Sequence, residues 1–99
     1  MFVVIAKAKA KDGEADRLGD ILSSMVDWVI ENEADTITYI CNRSVSDPNE
    51  FCFFERYTSE KAFEAHSQTD RIKAMGKEIR DLIDGPITLD TYTEVAGKL

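Results

Sequence analysis

Apolar side chains recur along this chain at two spacings, and each spacing predicts a different element. Residues 2–10 (FVVIAKAKA) form an extended apolar run that begins apolar on both faces, which predicts a central strand covered on both sides. Residues 14–32 place apolar side chains three or four positions apart, which predicts an amphipathic helix with Asp12 as its cap. The apolar face of that helix carries Leu18, Ile21, Leu22, Met25, Trp28 and Val29.

The middle of the chain predicts a hairpin. Residues 36–45 and 51–57 are rich in β-branched and aromatic side chains, and Asp47-Pro48-Asn49 supplies the turn between them. If Ser46 pairs with Glu50, Cys41 falls opposite Glu55 and Cys52 falls opposite Ser44. The two thiols then point to opposite sheet faces, so we expect two free cysteines rather than a disulfide.

The second half of the chain predicts two helices and a last strand. A short helix runs from 59 to 66 with Thr58 or Ser59 as its cap, and a second runs from Thr69 to Asp84, where Gly85-Pro86 stops it. Residues 87–95 alternate as a strand.

The resulting order, β-α-β-β-α-α-β, predicts an α+β, ferredoxin-like fold. Residues 1–99 would form one domain, with a four-stranded antiparallel sheet and helices on one face only. The other face carries enough apolar side chains that we expect a second copy to cover it, giving a homodimer that packs sheet against sheet as an α/β barrel. The alternative is a monomer whose open face is polar.

Composition and charge narrow the class of partner. The formal net charge is −7, which disfavours nucleic acid and anionic membrane surfaces. No apolar run reaches the ~20 residues that span a bilayer, and the first residues lack the basic region of an export signal. We therefore expect a cytoplasmic protein. One histidine and no close cysteine pair give no support for a metal site.

The only histidine, His66, is the leading candidate for catalysis. It sits at the end of a short helix beside the aromatic strand FCFFERY, and neutral imidazole can accept a proton from a phenol near pH 7. The alternative is a histidine that caps helix carbonyls or faces solvent.

Six further residues are candidate ligand contacts. Aromatic rings could stack on a flat ligand, and strand polar groups could reach it. These residues are Trp28, Tyr39, Phe54 and Tyr57, together with Lys7 and Asn42. The alternative for the aromatic residues is core or dimer packing, and Lys7 and Asn42 could simply be solvated. Glu55 could orient a neighbouring side chain or pair with Arg43 or Arg56.

The segments FFERYTSEKAFEAH, TDRIKAM and DGPITLDTYTEV, taken with the element order, resemble the antibiotic biosynthesis monooxygenase family, and its quinol-monooxygenase-like bacterial members in particular. The resemblance implies a dimeric barrel with a pocket in each subunit. It also implies oxidation of small aromatic quinol-like compounds by molecular oxygen, without a metal, flavin or other cofactor.

Two other functions stay open at this point. Another branch of the family isomerises a phosphorylated signal molecule of the autoinducer-2 type and shares the histidine and the Gly-Pro near the last helix. The third possibility is a non-catalytic stress protein that binds small ligands. The haem-degrading branch has a tryptophan at the position of His66 and a haem-ligating histidine at about the position of Gly76. This chain has neither residue, so haem degradation is disfavoured.

Overall fold

Seven elements follow one another in the predicted order. The computed structural model describes residues 1–99. Its strands are β1 (Phe2–Lys9), β2 (Thr36–Arg43), β3 (Glu50–Tyr57) and β4 (Thr88–Thr93), and its helices are α1 (Ala15–Asn32), α2 (Glu60–Gln68) and α3 (Asp70–Ile79). The strands form one antiparallel sheet in the order β2-β3-β1-β4, which confirms the ferredoxin-like fold and the central position of β1. No helix has the length and apolar character needed to cross a membrane.

The core lies between one face of this sheet and the helices. Leu18, Leu22, Met25 and Val29 of α1 are each at most 2% exposed, and they belong to the same buried cluster as Phe51 and Phe53 of β3. Burying one such side chain contributes about 1.5–3 kcal/mol, so α1 is fixed on the sheet by its apolar stripe rather than by its ends.

Two of the three helix caps predicted from the sequence are present in the structure. Ser59 Oγ accepts a hydrogen bond from the Ala62 N–H at 3.2 Å, and Thr69 Oγ1 accepts one from the Ile72 N–H at 3.2 Å. The predicted cap at Asp12 is wrong, because α1 begins after Glu14 without a side-chain cap. The Asp12 carboxylate instead accepts a hydrogen bond from the side-chain amide of Asn49.

Helix α3 is shorter than predicted. It ends at Ile79 rather than Asp84, because the chain must turn there to rejoin the sheet. Ile83 forms an isolated bridge with Ala10, and the Asp84 N–H donates to the Lys9 carbonyl at 2.7 Å. The turn therefore ties the end of α3 to the end of β1 before β4 starts.

The hairpin register differs from the prediction by two residues. Ser44, rather than Ser46, pairs with Glu50, because the Ser44 hydroxyl accepts from the Asp47 N–H and widens the loop. Cys41 consequently lies opposite Phe53, and Cys52 opposite Asn42. A shift of two preserves side-chain facing, so the thiols still point to opposite faces, and both are free.

The second face of the sheet has no layer over it. Ile40, Phe54 and Ile5 form a row across three strands on this side, which we call the open face. Phe54 is 37% exposed and Ile40 is 49% exposed, and Tyr92 of β4 is also exposed beside them. The sheet does not close on itself within one chain.

Candidate active site

A cavity of about 220 Å³ lies between the helix-covered face of the sheet and the helices α2 and α3. Its walls are mostly apolar and include Leu22, Phe53, Phe63, Ile72, Met75 and Leu89. A cavity of about 150 Å³ is enough to hold benzene in a protein interior. The space here therefore suits a single substituted ring better than a ligand of several fused rings.

One wall of the cavity carries an imidazole held by a carboxylate. His66, in the last turn of α2, is 4% exposed, and its Nδ1 lies 2.7 and 2.9 Å from the two carboxylate oxygens of Glu33. Glu33 follows the end of α1, and it also accepts a hydrogen bond from Thr36 Oγ1 at 2.7 Å. In neutral imidazole this arrangement places the proton on Nδ1, which leaves the Nε2 lone pair available.

The second acidic group of the cavity is Glu55 on β3. It is 4% exposed, and the Tyr57 hydroxyl donates a hydrogen bond to its Oε1 at 2.5 Å. Burial raises the pKa of the Glu55 carboxyl to about 7; the Tyr57 hydrogen bond opposes this rise and the nearby Glu33 charge adds to it. Glu55 can therefore exist as a neutral acid near physiological pH.

Two tyrosine rings flank the imidazole. The ring centroids of Tyr39 and Tyr57 lie 5.2 and 5.6 Å from that of His66. Burial raises the pKa of both phenols, with neighbouring Glu55 adding to the effect, so both hydroxyls stay protonated. The Tyr57 hydroxyl is engaged by Glu55, whereas that of Tyr39 makes no hydrogen bond within the chain.

Comparison with known proteins decides the family. The sequence model described as "Antibiotic biosynthesis monooxygenase" matches residues 1–78. The chain belongs to this family. No protein of curated function matches it in sequence.

Solved structures share the family fold. A "putative antibiotic biosynthesis monooxygenase" from Nitrosomonas europaea superposes with a TM-score of 0.91 at 21% identity, covering 97% of this chain and 100% of that one. One described in the same words from Caulobacter crescentus gives 0.90 at 23% identity, covering 96% and 90%. A protein from Shewanella oneidensis gives 0.84 at 26% identity, covering 92% and 87%. At these identities the likeness shows the fold.

In this family member the predicted site residues divide between the two sheet faces. His66 and Tyr39 line the cavity, and Tyr57 is fully buried behind it. Phe54 and Asn42 do not reach the cavity: both side chains lie on the open face, where the Asn42 amide donates to the Cys52 carbonyl.

The last two predicted contacts are also displaced from the cavity interior. Trp28 packs at the edge of the core cluster and is not part of the cavity wall. Lys7 belongs to the wall, but strand alternation places its side chain on the open face, since it pairs with Cys52 there.

Sequence reasoning missed the partner of His66. Glu33 is 33 positions away, and no local signal connects a helix-end glutamate to a distant histidine. Of the two roles that the sequence allows for Glu55, orienting a neighbouring side chain agrees with its hydrogen bond from Tyr57, whereas the ion pair with Arg43 or Arg56 is wrong. Arg43 pairs with Asp16 and Arg56 pairs with Glu94, which leaves Glu55 to Tyr57.

Proposed function

We propose that this protein is a cofactor-independent monooxygenase that oxidises small aromatic quinol-like compounds with molecular oxygen. The observation that carries the proposal is the Glu33–His66 pair at the wall of an apolar cavity. A carboxylate on Nδ1 fixes the tautomer of the imidazole and stabilises the imidazolium that forms when Nε2 accepts a proton.

The chemistry begins with that proton transfer. A hydroxyl of the bound ring donates its proton to His66 Nε2, and the resulting phenolate transfers one electron to oxygen. Recombination forms a carbon–oxygen bond, and cleavage of the oxygen–oxygen bond leaves one oxygen atom on the ring while the other departs as water. For a simple hydroquinone the products are a hydroxyquinone and water, which balances one molecule of oxygen.

The cavity walls supply the remaining requirements. A volume of about 220 Å³ accommodates one substituted ring together with oxygen. The rings of Tyr39 and Phe53 offer faces for stacking, and apolar walls exclude water from the reactive anion.

The charges around the cavity favour this reaction over isomerisation of a phosphorylated signal molecule. A phosphate needs a cluster of basic side chains or helix N-termini. The only lysine or arginine of the wall, Lys7, points its side chain to the open face, whereas Glu55 lies in the wall and Glu33 lies behind His66. The cavity therefore offers a phosphate no cluster of lysine or arginine side chains.

We also propose that the working unit is a homodimer formed through the open face. The row of exposed Ile40, exposed Phe54 and half-buried Ile5 supports this, because an apolar row of this kind is more stable against a second apolar surface than against water. A second copy of the chain presents the matching row by two-fold symmetry.

The test is oxygen consumption by metal-stripped protein with a panel of hydroquinones, corrected for autoxidation. We expect saturable uptake with an oxygenated product, and His66→Ala should lower turnover by about 10²–10⁴-fold, the range of a positioned acid or base. Glu33→Gln should lower it less, because the imidazole remains. Exposed Glu64→Gln is the control.

Full activity of His66→Ala would refute the assignment, and tight phenol binding without turnover would favour the ligand-binding alternative.

A further inference from the structure

Glu55 is a cavity-lining acid that the proton transfer to His66 does not use. Its Oε1 accepts from Tyr57, and its Oε2 makes no hydrogen bond within the chain. Because Glu55 lines the cavity, a ligand bound there is the available partner for Oε2. Glu55 and His66 both line the cavity, and the ring centroid of Tyr57 lies 5.6 Å from that of His66.

The groups that face Glu55 carry no positive charge of their own apart from His66 when it is protonated. Tyr57 approaches from its own strand, Tyr39 from β2 directly across the register, and Glu33 from the end of α1. The facing positions of β1 are the apolar Val4 and Ala6. No lysine or arginine forms an ion pair with Glu55, since the nearby Arg56 is held by Glu94 on the other side of the sheet.

We propose that Glu55, in its protonated form, donates a hydrogen bond to an oxygen of the bound aromatic ligand and is the residue that makes the cavity select uncharged hydroxyaromatic compounds. This inference rests on the proposed function in taking the cavity as the ligand site and His66 as the group that accepts the proton of the ligand. Glu55 touches the ligand in this scheme, so it is a catalytic residue as well as a specificity-determining one.

The physical reason is charge. When His66 accepts the ligand proton, Glu33 neutralises the imidazolium, and the phenolate that remains needs a donor in an apolar surrounding. Neutral Glu55 supplies that donor, much as a tyrosine and a protonated carboxylic acid together stabilise an oxyanion in a known isomerase. Ionised Glu55 would instead repel the phenolate and any aromatic carboxylate.

Burial raises the pKa of Glu55 to about 7, so Glu55 changes from the neutral acid to the carboxylate within the pH interval in which binding can be measured. If binding requires the neutral acid, the apparent Kd scales with the inverse of the protonated fraction, so it rises about 30-fold between pH 6 and pH 8.5. The probe is 4-methylphenol, titrated anaerobically by calorimetry. As a phenol with a pKa of about 10, it stays uncharged throughout this interval.

Three variants isolate the effect. Glu55→Gln keeps an acceptor for Tyr57 and is neutral at every pH, so its Kd should change less than about threefold across the same interval. Tyr57→Phe removes the hydrogen bond that favours the carboxylate, so binding should persist to higher pH than in the wild type. Glu64→Gln, exposed on α2, should behave as the wild type.

The outcomes separate this inference from the proposed function. A pH-dependent Kd that is lost in Glu55→Gln supports it whether or not oxygen is consumed. A Kd that is independent of pH in the wild type, or a dependence that survives in Glu55→Gln, overturns it while leaving the oxygen chemistry intact. Absence of 4-methylphenol binding at pH 6 overturns both, and binding of benzoate at pH 8.5 as tight as that of 4-methylphenol overturns the selectivity.

Discussion

Glu55 should make the stability of the fold depend on pH in an unusual direction. Its pKa is about 7 in the folded chain against 4.5 for an unperturbed glutamate, so the folded state binds more protons than the unfolded state between these values. The stabilisation from this group is therefore fully present below pH 4.5 and is lost as the pH rises towards 7. Most carboxylates in proteins show the opposite trend.

The magnitude follows from the two pKa values. At pH 5 the shift contributes about 2–3 kcal/mol of stability relative to the ionised state, and at pH 8 it contributes almost nothing. Replacement of Glu55 by Gln removes the titration and keeps the shape. The difference in unfolding free energy between variant and wild type should thus move in favour of the variant by about 2–3 kcal/mol from pH 5 to pH 8.

Urea unfolding at pH 5 and pH 8, at one protein concentration, measures this difference. With a slope of about 1–2 kcal/mol per molar urea, the midpoint of Glu55→Gln should rise relative to the wild type by roughly 1–3 M across the interval. The control Glu64→Gln changes the same charge at an exposed site. If the unfolding free energies of wild type and Glu55→Gln changed in parallel with pH, the reasoning would be refuted, because Glu55 would then titrate in the folded chain as it does in the unfolded chain.

Two further predictions concern packing and capping. Phe54→Lys places a charge in the apolar row of the open face and should prevent two copies from packing there. Light scattering should therefore give a dimer mass for the wild type and about 11.2 kDa for the variant. A wild-type monomer at micromolar concentration would contradict the dimer. Thr69→Ala removes an acceptor for the Ile72 N–H and a donor to the His66 carbonyl, which should cost about 1 kcal/mol in urea unfolding. Thr58→Ala, whose hydroxyl makes no hydrogen bond, should cost less than about 0.5 kcal/mol, and equal losses would argue against the cap.

Local patterns predicted the elements because each element is determined by its own stretch of chain. The stripe of α1 and the alternation in β1 both define a buried face without knowledge of any other segment. The register of the hairpin was not accessible in the same way. Asp47-Pro48-Asn49 indicates a turn, but the Ser44–Asp47 hydrogen bond that sets the loop length depends on geometry on both sides of it.

The site was harder to predict than the fold for a related reason. His66 is conspicuous as the only histidine, and Tyr39 shares a strand face that the alternation predicts. Glu33 and Glu55 look like ordinary surface acids in the sequence. Their positions follow only when the end of α1 and the strand β3 come together around His66, which is a property of the tertiary structure.

Strand β3 assigns neighbouring residues to two separate tasks. Glu55 and Tyr57 point to the helix-covered face, where Glu55 lines the cavity, while Phe54 and Arg56 point to the open face, so neighbouring residues of one strand serve different surfaces. Substitutions on one face can accumulate without altering the other, which would let the proposed dimer surface and the proposed ligand cavity diversify independently. Insertion or deletion of a single residue within β3 would exchange the two sets, bringing Arg56 towards the cavity, and so should be far less tolerated than any substitution there.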